Sequence, residues 1–198
     1  MSRFILGVII GLLIPVVAAY FYIRMGYAPV ATSSAPMPFE EAAAHMALSA
    51  RIGKEASKKA APLPVNESNL SQGAAVYVEN CAFCHGLPNQ KATLAAKGMF
   101  PPPPQLFSKD GMVADDPEGV TYWKVANGIR LSGMPGFGEM LTKDQLWQVS
   151  LLLAKADRLP PGVRVALEKA TVASPPSSQA TIAEPVKKNA AVPLKKKK

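Results

Sequence analysis

Cys81-Ala82-Phe83-Cys84-His85 contains both cysteines of the chain, with a histidine directly after the second. Two thiols separated by two residues can each add to one vinyl group of a haem. The adjacent imidazole then falls under the iron and supplies an axial nitrogen, so Cys-x-x-Cys-His reads as the attachment pattern of a c-type haem. Two other chemistries use such thiols. A structural zinc site takes about four ligands, and the only other histidine is His45, with no further cysteine. A thioredoxin-like dithiol belongs in a strand–helix–strand context, which the flanks lack. The pattern points to one covalent haem c, held by Cys81, Cys84 and His85, with His85 on the metal.

Histidine on one face of the iron leaves the other face open or filled by a second side chain. Methionine there raises the reduction potential and favours electron transfer. Of the eight methionines, Met134 is best placed. It sits in Ser132-Gly133-Met134-Pro135-Gly136-Phe137-Gly138, where glycines allow close backbone approach and Pro135 stiffens the loop. Met99, beside Phe100 and the prolines 101–104, is the rival. Met140 and Met112 read as gap-fillers or surface residues. His45 reads as an exposed helical histidine, with axial ligation as the alternative.

The elements that must carry these groups read as helices. One starts near Asn69 and runs through Val76 and Tyr77 into the haem motif. The four prolines at 101–104 cannot be helix interior and should be extended. Asp116-Pro117-Glu118 predicts a helix with Asp116 as cap and Pro117 in its first position, carrying Trp123 and stopping near Asn127-Gly128. Thr142-Lys143-Asp144-Gln145 is a capping box and opens a last helix through Leu146, Trp147 and Leu153, ending near Leu159-Pro160. Upstream, residues 38–61 are alanine-rich with acids first and lysines last, which suits a helix dipole. The poor apolar face of that helix suits a stalk rather than a core element.

Residues 4–23 carry no charged side chain. At about 1.5 Å per residue they span roughly 30 Å, the thickness of a bilayer core. Arg3 and Arg24 bracket the stretch. A cleaved signal peptide is the competing reading, with Val17-Ala18-Ala19 as a cleavage site; Pro15 and the apolar run through Ile23 favour a retained anchor. The net charge of +8 suggests a nucleic-acid or membrane binder. Between residues 66 and 160, however, eight lysines and arginines face nine acids, and the basicity is concentrated in the flanks, above all at residues 195–198. That distribution argues against nucleic acid as a partner.

With Gly73, Tyr77, the haem motif, Asn127-Gly128-Ile129-Arg130, Gly133-Met134-Pro135-Gly136-Phe137 and Leu146-Trp147 in view, residues 69–157 resemble a bacterial class I monohaem cytochrome c. The resemblance covers a little under half of the chain and leaves out the anchor, stalk and tail. It implies an all-α cytochrome c fold behind an N-terminal transmembrane helix, with terminal helices crossing so that Gly73 and Tyr77 meet Trp147. It also implies a backbone carbonyl within 101–104 that accepts the His85 ring N–H. Arg130 is then expected to pair with a haem propionate and the Trp123 indole to reach the propionates. The plainer readings are a solvated arginine and a core tryptophan.

The chain so divides into an anchor or signal peptide (1–27), a linker and stalk helix (28–65), a cytochrome c domain (66–162) and a disordered basic tail (163–198). The expected role is one-electron transfer in a membrane-bound respiratory chain by a carrier that is not itself an enzyme. Its catalytic residues would be none, and its partners redox proteins and the lipid around its first helix. A c-type haem is normally attached on the exported side, which places the haem domain in the periplasm on a single-pass inner-membrane anchor. A haem subunit of a larger dehydrogenase or oxidase complex is the alternative, and an open-site haem enzyme or sensor the more distant one.

Overall fold

A computed structural model of the chain describes residues 2–58, 60–108 and 113–172. Among them there are eight α-helices, one short 3-10 turn and no strand. Met112 and residues 173–198, of which a gap-filler or surface role and a disordered tail are expected, lie outside the described residues.

Helix α1 (Ser2–Arg24) is apolar throughout apart from its ends and buries nothing against the rest of the protein. Its 23 residues make a rod of about 34 Å, enough to cross a bilayer core. Tyr20 packs edge-on against Phe21, and Tyr22 stacks on Tyr27, at the end that leads to the rest of the chain. Helix α2 (Glu40–Glu55) also buries no residue. It is shorter than the predicted 38–61, because Phe39 precedes it in a left-handed conformation and Ala56 leaves it in an extended one.

The core is built by α3 (Glu67–Asn80) and α7 (Lys143–Ala154), with α6 (Glu118–Asn127) and α8 (Pro161–Lys169) packed on this pair. Asn66, not Asn69, caps α3, accepting from the backbone N–H of Asn69. The crossing of α3 and α7 is close at Gly73, where a Cβ would collide with the Gln148 carbonyl and press on Leu152. Gln148 is buried there and donates to Asn69 and Gln72 of α3, so its amide is paired rather than stranded. Leu70, Tyr77, Val149, Leu151 and Leu152 fill the interface.

Gly73 and Tyr77 were expected to meet Trp147, and the structure redistributes the aromatics. Tyr77 is fully buried and meets Phe107 edge-to-face, with ring centroids 5.0 Å apart. Trp147 is half-buried and stacks on Tyr122 of α6 at 4.3 Å. Adjacent residues on a helix point about 100° apart, so a crossing that seats Gln148 on Gly73 turns Trp147 toward α6.

Three boundaries differ from expectation. The Asp116 carboxylate does not cap α6; it takes a 2.6 Å ion pair from Lys124 in the last turn of the helix, and Pro117 occupies the cap position. Helix α7 stops at Ala154, before the predicted 159. The domain does not end at 162: α8 continues to Lys169, with Val163 and Leu167 fully buried. These two positions are one turn apart and close the core against α3, which is why residues 163–169 are helix rather than part of a disordered tail. The capping box at α7 forms as read, with Thr142 and Gln145 exchanging both hydrogen bonds.

Candidate functional site

Helix α3 delivers the reactive motif. Its C-cap is Cys81, and the chain then makes one further turn, α4 (Ala82–His85), whose N–H groups on Cys84 and His85 both return to the Cys81 carbonyl. Both thiols and the imidazole therefore belong to one tight turn. Gly86 ends that turn at φ 71, a left-handed conformation suited to glycine. A Cβ there would strike the Gln105 carboxamide. The Gly86 carbonyl accepts the Tyr77 hydroxyl at 2.7 Å, and the turn is thus tied back to the core helix that carries it. Thr93 donates to the Phe83 carbonyl and caps the short helix α5 (Leu94–Lys97), a support that no sequence motif announces. The Thr-x-x-Ala spacing alone is too common to have marked it.

Electrostatics do not suit thiol redox work at Cys81 and Cys84. Burial, and secondarily Cys84, push the Cys81 thiol up to about 12; burial raises Cys84 as well. Thiols held in that direction are protonated at neutral pH and poor nucleophiles, the reverse of a reactive dithiol. His85 is lowered by burial, against an opposing effect from its hydrogen bond to Pro104. A neutral imidazole is the metal-binding form. Its Nδ1 lies 2.8 Å from the Pro104 carbonyl. A carbonyl only accepts, so Nδ1 carries the proton and Nε2 keeps the free lone pair. The acceptor lies in the proline run, as expected.

The loop carrying Met134 is pinned to the end of α6. Phe137 N–H donates to Val125 and Gly138 N–H to Ala126, while Ile129 N–H reaches the Met134 carbonyl. Ser132 Oγ donates to Ile129 O and accepts from Met134 N–H. Gly128 turns the chain at φ 68, and a Cβ on it would strike the backbone of 134–136. Met134 is half-buried against the core. Met99 is its neighbour: a Cβ on Gly133 would collide with the Met99 methyl. The Met99 side chain thus lies against the loop that carries Met134. Met140 is exposed.

Other expected groups fall elsewhere. Arg130 is exposed, and no ion pair among the described residues includes it. The Trp123 indole N–H donates to Glu55 at the end of the stalk helix, 3.1 Å away. His45 is on α2 beside Glu41, largely exposed. Among the described residues no cluster of three His, Cys, Asp or Glu side chains could hold a bare metal ion. The donor set therefore fits a haem: two unpaired thiols, an imidazole oriented by a carbonyl, and a methionine on a separately pinned loop.

An all-helical domain of this build, with the thiol–thiol–imidazole turn between α3 and an extended proline run, resembles a c-type cytochrome domain, and haem c is the cofactor of that class. Residues 68–151 match the family described as cytochrome c oxidase, cbb3-type, subunit III. Among curated proteins, the cbb3-type cytochrome c oxidase subunit FixP of Sinorhizobium medicae (strain WSM419) is 30% identical over 99 residues, which is 46% of this chain and 31% of the relative. FixP of Rhizobium meliloti (strain 1021) is 27% identical over 141 residues, 65% of this chain and 46% of the relative. The chain thus spans less than half the length of the relatives it matches.

Proposed function

We propose that this protein transfers single electrons through one covalently held haem c, on a membrane anchor, in a respiratory chain. Cys81 and Cys84 would hold the haem through thioether links, and His85 Nε2 and the Met134 sulfur would ligate its iron. Bound haem supplies a one-electron Fe(III)/Fe(II) couple. The chain's own residues do the rest. The Pro104 carbonyl holds the His85 ring in one tautomer and orientation. Met134 stands on the pinned loop 128–138, and Arg130, exposed on the same loop, would offer its guanidinium to a propionate. With both axial positions taken by side chains, no position is left for a substrate, which makes this a carrier rather than a catalyst. The observation that carries the reading is the His85–Pro104 hydrogen bond on the same turn as both thiols. Helix α1 would sit in the inner membrane with the haem domain on its periplasmic side, because c-type haem is attached there.

The test is spectroscopic. The reduced protein should show no change in absorbance with carbon monoxide, and its haem should survive acid–acetone extraction. Replacing both Cys81 and Cys84 by alanine should abolish that resistance. Met134→Ala should remove the weak near-infrared sulfur–iron band while Met99→Leu keeps it; the opposite result transfers the ligand role to Met99.

A second reading is favoured by the relatives: the domain works as the cytochrome subunit of an oxidase complex rather than as a free carrier. Purification in mild detergent with other oxidase subunits would support it. Isolation as a lone cytochrome under the same conditions would count against it.

A further inference from the structure

The loop that carries Met134 is held almost wholly by backbone. Gly128 N–H returns to Lys124 O, Phe137 N–H to Val125 O and Gly138 N–H to Ala126 O, so both ends of the loop are tied to α6. Between them the chain turns back on itself, with Ile129 N–H donating to the Met134 carbonyl at 3.1 Å. Leu131 lies within this turn at φ 63, a left-handed conformation that a leucine rarely adopts. Its side chain is 92% exposed, so packing of that side chain does not hold the conformation. Among the described residues, Ser132 is the one residue of 128–138 with a hydrogen-bonded side chain. Its hydroxyl donates to Ile129 O at 2.7 Å and accepts from Met134 N–H at 3.2 Å. One oxygen thus bridges the two sides of the turn, and it does so at the backbone of Met134 itself.

We propose that Ser132 is the positioning residue for the methionine ligand: its hydroxyl keeps this strained turn closed and so sets how readily Met134 yields its place to a competing ligand. The proposal rests on the reading in which Met134 ligates the haem iron, and deepens it. In the closed turn the hydroxyl is the partner of the Met134 N–H, in a part-buried setting. In an opened turn water serves that N–H instead. Deleting the hydroxyl therefore weakens the closed form and leaves the open form as it was. A competitor that needs the open form binds with an apparent affinity proportional to the open fraction. Its affinity thus measures the hold that Ser132 exerts. The α3–α7 interface takes no part in this opening, so loop closure and domain stability are separate quantities.

The experiment titrates the full-length ferric holoprotein in detergent with imidazole and follows the loss of the near-infrared sulfur–iron band. Ser132→Ala should show the band without imidazole and raise the apparent imidazole affinity about three- to tenfold, the weight of one ordinary hydrogen bond. Ser132→Thr, which keeps a hydroxyl, should restore the wild-type affinity. Leu167→Ala, in the core face of α8, should lower the thermal midpoint and leave the imidazole affinity at the wild-type value. That control separates a hold on the loop from general stability. Should Ser132→Ala not retain haem, Ser132→Cys carries the same titration, since a thiol is the weaker donor and acceptor. A wild-type band with equal imidazole affinity in wild type and Ser132→Ala overturns the proposal, as does a rise of the same size in Leu167→Ala. Absence of the band from the wild type overturns the Met134 reading, and the role of Ser132 falls with it.

Discussion

His85 is oriented by a backbone carbonyl, an acceptor that no side-chain substitution at Pro104 removes. Its protonation still leaves a test. Burial lowers the folded-state pKa below the ordinary value, so the neutral ring contributes stability that is complete above about pH 6.5 and lost as pH falls through the lowered folded value. In the haem-free protein the helical circular dichroism should therefore hold as pH rises above about 6.5 and give way on the acid side. Loss of that signal on the alkaline side at mild pH would contradict a depressed imidazole. Tyr77 offers the second residue-scale test. Its hydroxyl is the partner of the Gly86 carbonyl at the end of the haem turn, and burial pushes the phenol well above its usual range. Tyr77→Phe leaves that buried acceptor unpaired and should cost about 1–3 kcal/mol in a denaturant titration. An unchanged midpoint would mean that water replaces the hydroxyl.

Helix α8 shows where local pattern stops being enough. Leu167 is fully buried although only two positions of that helix face inward, and Leu167→Ala should destabilise the domain by about 2–5 kcal/mol. A thermal midpoint equal to wild type would mean that α8 is not docked in solution. Residues 163–169 read as tail because Val163 and Leu167, a single turn apart, make no stripe longer than one turn; they acquire meaning only from the surface of α3. The same holds for Asp116, whose position suited a cap until Lys124 claimed its carboxylate, and for Trp123, whose partner Glu55 is 68 positions away. Signals confined to one turn of chain were legible. The Thr142–Gln145 box, the proline run and the haem motif were read from neighbours alone, and the Gly73 crossing came from the resemblance to class I cytochromes, with Gln148 and not Trp147 as its counterpart. Thr142→Ala should accordingly cost about 1 kcal/mol, measured by urea midpoint.

At the scale of the whole molecule, anchor and domain are separable in energy but not in use. The basic flanks give the chain its +8 charge while the described domain is close to neutral, so bulk charge says little about the haem-bearing face. Helix α1 exposes its apolar surface along its full length; Phe4, Leu12 and Ile23 are each more than half exposed. Such a surface would be intolerable in water over 23 residues and is suited to lipid. None of it packs on the haem domain, since no residue of α1 is buried. Removing residues 1–27 should therefore move the protein from the membrane to the soluble fraction. Haem absorbance, reduction potential and urea midpoint of the domain should stay at their full-length values, once haem attachment is preserved by supplying a cleavable export signal in place of α1. A truncated domain that remains with the membrane would point to a second lipid contact, for which the exposed Phe39 and Met46 of the stalk are the first residues to replace. A soluble domain with a lowered midpoint would show that the anchor stabilises the fold directly, against the absence of buried α1 residues.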